Sequence, residues 1–348
     1  MDKFSSYETK GMDEEILATE EREDCENFYD SHFSVSAAVH KTSFWKKKST
    51  KQYFGVIWIL PAFLLLCVFC LYPTLLAFIN SMTNWDGGNV REFIWFSNYS
   101  ELFADVIFWR SLLNVVILTV VGMLLGNMAS LVLAELLYNM RSKLTAFYRF
   151  LFVLPAMIPG IITMLLWQKL ILSGQSNGFM NVILGWFGIE SQEWFASQST
   201  FIVFLSIFLY GFPWMGGTSF LIYLAGLNGI DESVIDASKL DGVGTFRRIF
   251  VIDLPLIKGQ LKYFLVMGII GGLQNYSMQY AITFGGPGEV AVNGMQTGTI
   301  VPGYYIYRLI YGSSRIGAYG YACAMGVMMF VIILIITIVN NTLLKSED

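Results

Sequence analysis

Long apolar stretches alternate with shorter polar ones along the chain, at lengths that suit membrane helices. A helix needs about 20 apolar residues to span the hydrocarbon core of a bilayer. Six stretches meet this length, and we place them near residues 54–79, 111–137, 147–172, 201–224, 261–284 and 318–343. Glu135 and Lys169 come near the ends of two of these stretches, where their side chains can reach the interface. The pattern predicts an all-α, polytopic membrane protein with six transmembrane helices.

Lysine and arginine are unevenly divided between the two sides that six spans create. From Lys41 onward, fourteen basic residues fall on the side of the N-terminus and five on the other side. The richer side holds the run KTSFWKKKSTKQYF, the loop 138–149 and the segment 225–260. Because basic loops stay in the cytoplasm, both termini and the segment 225–260 are predicted to be cytoplasmic, with the chain in the cell membrane.

Composition separates the N-terminus from the rest of the chain. Hydrophobic residues make up 55% of the 348 residues and charged residues 14%, against about 25% charged in soluble domains. Residues 8–30 alone hold ten acidic residues and two basic ones. We interpret residues 1–50 as a disordered acidic tail whose basic end meets anionic lipid, and 51–348 as the transmembrane domain. A solvated leader and a regulatory or partner-binding tail both fit this composition.

The segment 225–260 is polar and lies between two apolar stretches. Its central part reads DASKLDGVGTFRRIFVIDLP. Apolar residues recur there at helical spacing up to Leu240, and Gly242 and Gly244 then favour a turn. The segment is predicted to form a short helix, a glycine turn and a second short helix. At about 35 residues it is longer than a simple connection needs, which indicates a docking surface.

This segment resembles the signature E-A-A-x(3)-G-x(9)-I-x-L-P of permease subunits of ABC importers. Every spacing matches, with Asp for Glu and Ser for the second Ala. The stretches LYPTLLAFINSMTNWDG, FYRFLFVLPAMIPGIITMLLWQKL and GAYGYACAMGVMMFVIILIITIVNN also look like these permeases, most closely the carbohydrate class that includes maltose and glycerol-phosphate importers. Residues 1–50 have no counterpart in the family.

The resemblance implies that the segment 225–260 couples the chain to a partner ATPase. The residues that would do so are Asp236, Ala237, Ser238, Asp241, Gly242, Leu254 and Pro255. It also implies a second permease subunit as a heterodimer partner, an ATPase dimer, and an extracellular solute-binding protein that delivers a sugar. The sequence contains no G-x(4)-G-K-[ST] motif, so ATP and Mg²⁺ are expected in the ATPase and this chain is expected to be non-catalytic, without a cofactor, metal or nucleic-acid partner.

Polar and aromatic residues within the apolar stretches are candidates for the substrate path. They are Trp167, Gln168, Tyr210, Trp214, Gln274, Asn275, Tyr276, Ser277 and Gln279. Aromatic faces beside amides suit a sugar, which offers C–H faces for stacking and hydroxyls for hydrogen bonds. The same residues could instead join helices to one another. Because the spans hold almost no cationic groups, we expect a neutral sugar.

Two other functions compete with this interpretation. An ion-coupled secondary transporter needs carboxylates or histidines within the membrane, and both histidines lie in the N-terminal tail. A membrane sensor or scaffold could signal through the acidic tail, but it would not explain the spacing in residues 236–255.

Overall fold

The computed structural model describes residues 50–88, 91–140, 144–212, 218–286, 291–292, 295–312 and 317–343. The acidic tail, nearly all of its basic end, and Trp214 of the predicted substrate path lie outside these residues. The helices are α1 (Thr50–Leu66), α2 (Tyr72–Asn80), α3 (Ser97–Ala104), α4 (Val106–Asn139), α5 (Thr145–Val153), α6 (Gly160–Leu166), α7 (Phe179–Trp186), α8 (Thr200–Leu209), α9 (Ser219–Asn228), α10 (Glu232–Leu240), α11 (Thr245–Arg248), α12 (Leu254–Leu256), α13 (Lys258–Gln274), α14 (Pro302–Gly312) and α15 (Ala318–Leu343).

The fold is mostly helical, as predicted, and several helices continue into other helical geometries. The described residues include π-helices at Cys67–Leu71, Trp167–Ile171, Ile249–Asp253 and Gln279–Thr283, and a 3₁₀-helix at Leu154–Met157. They also include two short antiparallel strands, β1 (Ala291–Val292) and β2 (Met295–Gln296), with Ala291 opposite Gln296. The sequence pattern indicated neither the strands nor the π-helices.

Among the described residues, three helices are long and apolar enough to cross a membrane: Trp58–Asn80, Val106–Asn139 and Ala318–Asn340. A fourth candidate is the pair Thr145–Met157 and Gly160–Ile171, which bends by 89° at its break. The bend follows from Pro159, because proline pushes the residue before it out of the helical region. Ile158 accordingly has an extended ψ of 131°.

The two remaining predicted spans correspond to shorter elements. The stretch near 201–224 is described as α8 and α9, each of 10 residues. The stretch near 261–284 is the 17-residue α13 followed by the π-helix Gln279–Thr283. Neither has the length of a single spanning helix, so the count of six spans stays a prediction.

Helix α4 lies at the centre of the packing and contacts α9, α13 and α14. Its first half packs Phe108 and Val115 into a cluster with Ile300, Tyr321 and Met325. Its last turns contribute to a second cluster, which comprises Ala134, Leu137, Phe220, Tyr223, Leu224, Leu227 and Ile257. One long helix therefore supports both ends of the fold.

The start of α4 is fixed by Asp105, the N-cap residue. Its Oδ1 accepts hydrogen bonds from the backbone N–H groups of Ile107 at 2.8 Å and Phe108 at 3.3 Å. Its Oδ2 accepts from the hydroxyls of Tyr305 at 2.9 Å and Tyr321 at 2.7 Å. A single carboxylate thus caps α4 and attaches α14 and α15 to it.

Close contact between α4 and α13 depends on glycine. A Cβ built at Gly272 would lie 2.5 Å from Thr119 Cγ2, and one at Gly268 would lie 3.0 Å from Met123 Cγ. The Gly268/Gly272 pair therefore allows two helices of this chain to pack closely.

Candidate functional site

The segment 225–260 forms the predicted short helices, and hydrogen bonds define where α10 begins and ends. At its start, Asp231 Oδ1 accepts from the backbone N–H of Ser233 at 2.9 Å, which holds the pKa of the Asp231 carboxyl below its usual range. At its end, Gly242 N–H donates to Lys239 O at 3.1 Å and Val243 N–H to Ser238 O at 3.0 Å. This pair of bonds is a Schellman motif.

The Schellman motif explains the spacing of Gly242 from the Asp-Ala-Ser triplet. Gly242 is the residue that must adopt a left-handed conformation, and its φ is +68°. Residues with a Cβ are strained there, whereas glycine is not. The family signature therefore has a glycine at this position because α10 ends there in a left-handed conformation.

The predicted coupling residues do not all lie on one face. Asp236, Ala237, Asp241 and Pro255 are exposed, Leu254 is half-buried and Ser238 is buried. Ser238 Oγ donates to Ile235 O at 2.7 Å, so its role in the chain is internal packing. Asp236 pairs with Lys239 at 2.6 Å on the surface.

An exposed apolar surface accompanies these residues, and sequence reasoning did not identify it. Leu240 is 89% exposed and Phe246 is 77% exposed. Phe250, Val251 and Leu256 are also exposed, and the Phe246 and Phe250 rings lie 5.2 Å apart. We call Leu240, Phe246 and Phe250 the apolar docking surface, a name taken from the role that is proposed for them. The signal in the sequence was the presence of large apolar residues within a polar segment.

Arg248 joins this segment to the end of α4. Its Nε donates to Asp253 Oδ2 at 3.0 Å, and its Nη2 donates to Asn139 Oδ1 at 2.6 Å. The guanidinium also lies 5.6 Å from the centre of the Tyr138 ring. The side chains of Arg248 and Asp253 are 10% and 0% exposed. From the sequence, Arg248 was equally consistent with a basic residue that sets topology and with a contact residue, and the structure shows a buried structural contact.

Glu135 extends the same polar cluster into α4. Asn139 Nδ2 donates to Glu135 O at 2.8 Å and lies 3.4 Å from its Oε2. Within the part of the chain that the structure describes, Glu135 Oε1 and Asp253 Oδ1 are buried without a hydrogen-bond partner. Asp253 therefore pairs with the guanidinium directly, Glu135 is linked to it through Asn139, and each carboxyl keeps one oxygen without a hydrogen bond to the described residues.

The predicted substrate-path residues are spread over several pockets. Gln168 lines a pocket of about 800 Å³, Gln274 and Tyr276 line one of about 350 Å³, and Asn275 and Gln279 line one of about 150 Å³. Trp167 and Tyr210 contact each other edge to face at 5.9 Å.

The exposed path residues follow the end of α13. Gln274, Asn275, Tyr276 and Ser277 are exposed, and Ser277 N–H donates to Asn275 Oδ1 at 2.9 Å. Gln279 is only 3% exposed and belongs to the packed interior. Of the predicted path residues in this region, Gln279 is therefore buried, whereas the other four are accessible.

Comparison with known proteins confirms the family resemblance. Residues 122–346 match the model of the family described as binding-protein-dependent transport system inner membrane component. The sulfoquinovosyl glycerol transport system permease protein SmoG of Agrobacterium fabrum is 29% identical, over 84% of this chain and 91% of that protein. The arabinooligosaccharides transport system permease protein AraP of Bacillus subtilis is 28% identical, over 87% and 91%.

A solved structure has the same fold. One chain of a bacterial ABC transporter involved in the import of the acidic polysaccharide alginate superimposes with a TM-score of 0.69. The superposition covers 84% of this chain and 96% of that chain, at 21% sequence identity.

Proposed function

Because this chain belongs to the family of binding-protein-dependent transport system inner membrane components, we propose that it is a permease subunit that moves a sugar into the cell. ATP hydrolysis in a partner ATPase drives the transport. The observation that carries this proposal is the apolar docking surface of the segment 225–260. This segment is hydrogen-bonded to the end of α4 through Arg248.

The proposed topology has six spans and cytoplasmic termini. The three long helices and the bent pair supply four spans. Helices α8 and α9 together supply the fourth in sequence order, and α13 with its π-helix supplies the fifth. The excess of lysine and arginine on one side supports the orientation, which places the segment 225–260 in the cytoplasm and 172–200 outside.

Coupling to the ATPase uses the segment 225–260. Exposed large apolar side chains beside charged ones are typical of protein interfaces, where the apolar groups are desolvated and charges set the orientation. Asp236, Ala237 and Asp241 lie exposed near Leu240, and Gly242 sets the turn. Ser238, Leu254 and Pro255 would support the backbone of the segment that carries the exposed residues. Movement of the ATPase would reach α4 through Arg248 and Asn139, since these two side chains are hydrogen-bonded.

The substrate class rests on the relatives and on the chemistry of the path. The relatives include permeases for arabinooligosaccharides, lactose and trehalose or maltose. Amides at Gln168, Gln274 and Asn275 can bond sugar hydroxyls, and the rings of Trp167, Tyr210 and Tyr276 can stack on sugar C–H faces.

The assembly would hold a second permease subunit, two ATPase copies and an extracellular solute-binding protein. A solved relative with this fold is in complex with a periplasmic protein that carries an alginate pentasaccharide. ATP and Mg²⁺ would bind the ATPase, and this chain would be non-catalytic.

The test is co-purification of the chain from its native membrane in mild detergent, with mass spectrometry of the bound proteins. We expect a P-loop ATPase and a second permease with the wild-type chain. The double variant Leu240→Asp/Phe246→Asp should lose the ATPase and keep the second permease, because these side chains are exposed and the fold does not need them.

Phe187→Asp is the matched control, since Phe187 is 76% exposed and Phe246 77%, but Phe187 lies in the segment 172–200. It should retain the ATPase. An ATPase that binds the double variant as well as the wild type would refute the docking surface. Absence of any ATPase from the wild-type complex, also after crosslinking, would refute the importer assignment.

A further inference from the structure

A polar pocket lies where the segment 172–200 meets the π-helix Gln279–Thr283. Its volume is about 800 Å³, within the range of roughly 300–1,000 Å³ found for ligand sites. We call it the amide pocket and define it by Gln168, Ser173, Gln175, Thr283 and Gln296, which all line it. Only Gln168 was among the path residues predicted from the sequence.

Asn181 fixes two of the walls. Its Nδ2 donates to the backbone carbonyls of Ser173, Gln175 and Gln192 at 3.0–3.1 Å. Its Oδ1 accepts from Gln192 N–H at 3.1 Å and from the indole N–H of Trp194 at 3.0 Å. The amide of Asn181 is 3% exposed and serves only to hold these backbones together. The pocket is therefore pre-organised.

The opposite wall is equally constrained. Thr299 Oγ1 donates to Thr283 Oγ1 at 3.1 Å, and Thr299 N–H donates to Gly285 O at 3.2 Å. A Cβ at Gly286 would collide with the Gln296 side chain, so glycine lets Gln296 approach. π-helices occur frequently at functional sites, and two of them, Trp167–Ile171 and Gln279–Thr283, border this pocket.

The lining chemistry fits a neutral polyhydroxylated ligand. Each glutamine amide can both donate and accept, as a sugar hydroxyl requires. The side-chain amides of Gln168 and Gln175 form no hydrogen bond with other described residues. Lys169 and Glu193, which also line the pocket, have opposite charges and leave no net charge. Trp194 and Phe195 supply an aromatic floor.

We propose that the amide pocket is a sugar-binding subsite, which binds a sugar before the sugar enters the membrane. This subsite is separate from the path residues at the end of α13. This inference rests on the proposed function. Because the segment 172–200 is external in the proposed topology, the pocket would be filled from outside the cell.

The test uses thiol labelling of the whole complex in intact cells. Gln175→Cys is treated with a membrane-impermeant maleimide, alone and with saturating maltose, lactose, arabinotriose or an alginate trisaccharide. Gln198→Cys is the matched control, because Gln198 is exposed in the same segment but does not line the pocket. The unmodified chain gives the background from its native cysteines.

We expect both variants to be labelled and the transported sugar to protect only Gln175→Cys, by about tenfold. Equal labelling with and without a sugar that the wild-type complex transports would overturn the subsite but leave the proposed function standing. If the wild-type complex transports none of the four probes, the sugar assignment itself fails.

Uptake kinetics give a second measurement. Gln168→Leu and Gln175→Leu should each raise KM for the transported probe by about threefold to tenfold, the effect of one lost hydrogen bond. Their maximal rate should stay near that of the wild type, whereas Gln198→Leu should change neither value. A lowered maximal rate with unchanged KM would contradict a binding role.

Discussion

The segments 172–200 and 225–260 each depend on one buried polar side chain that ties the backbone in place. Asn181 does this in the first, through five hydrogen bonds within its own segment. Arg248 does it in the second, by linking Asp253 to Asn139 of α4. The first segment is therefore fixed locally, whereas the second is fixed to a distant helix.

The large apolar side chains at the two candidate sites differ in exposure, although the segment 172–200 also exposes Trp186 and Phe187 away from its pocket. In 172–200, Trp194 and Phe195 are 6% and 5% exposed, and amides line the adjoining pocket. In 225–260, Leu240 and Phe246 are 89% and 77% exposed. A pocket lined with amides suits a small polar ligand, and a projecting apolar surface suits a protein. The comparison supports the proposal that the first segment forms a ligand site and the second a docking surface linked to α4.

The largest expected effect comes from removing Arg248, whose contacts hold the segment 225–260 to α4. Arg248→Met leaves the carboxylate of Asp253 buried without its ion-pair partner. Removing one partner of a buried ion pair costs about 3–5 kcal/mol. We expect a loss of this order in the free energy of unfolding, measured by SDS titration in mixed micelles, together with loss of sugar-stimulated ATP hydrolysis by the complex.

Two further variants separate the effect of Arg248 on stability from its effect on coupling to the ATPase. Arg247→Met is the matched control, because Arg247 is the exposed neighbour, and it should change the unfolding free energy little. Arg248→Met/Asp253→Leu should regain most of the stability, since an apolar pair can replace a buried ion pair. If the hydrogen bond between Arg248 and Asn139 transmits movement, sugar should still fail to stimulate ATP hydrolysis in this double variant. Full recovery of stimulated ATP hydrolysis would show that Arg248 has only a structural role.

The next effect concerns the other segment. Asn181→Leu leaves the Trp194 indole N–H and the carbonyls of the pocket wall without their partner. An unsatisfied buried donor costs about 1–3 kcal/mol. The unfolding free energy should fall by about 2 kcal/mol and KM for sugar should rise, with co-purification of the ATPase unchanged. The control Asn177→Leu, at an exposed position nearby, should behave as the wild type. Loss of the ATPase from Asn181→Leu would contradict the separation of the two segments.

Local spacing predicted more of the 225–260 segment than of the 172–200 segment. The helix, its end at Gly242 and the second short helix follow from periodicity and glycine placement within a few residues. The bond between Arg248 and Asn139 joins positions 109 residues apart, and no local pattern encodes such a contact. The sequence therefore left two roles open for Arg248, as a topology determinant or as a contact residue, and could not name its partner.

The break in the third predicted span had a signal in Pro159 that the length test overlooked. The π-helices had none, because each has only five residues and is too short to show a hydrophobic periodicity of its own. Asn181 was equally hidden, since its role depends on backbone carbonyls and any sequence can provide those. The family resemblance supplied the function proposed for 236–255, but it could not identify Leu240 and Phe246 as exposed, because exposure depends on what the rest of the chain covers.

The smallest effect tests whether the turn in 225–260 needs its geometry. Gly242 and Gly244 each have open space where a Cβ would be, but only Gly242 has a positive φ, at +68°. Gly242→Ala should cost about 1 kcal/mol of strain, whereas Gly244→Ala should be neutral or slightly stabilising, because it restricts the unfolded chain. ATPase binding, measured by co-purification, should weaken only in Gly242→Ala, since α11 and Phe246 would shift relative to Leu240. Equal weakening in both variants would mean that the ATPase contacts the glycine backbones directly, and the orientation of the two short helices would then not be the determinant of docking.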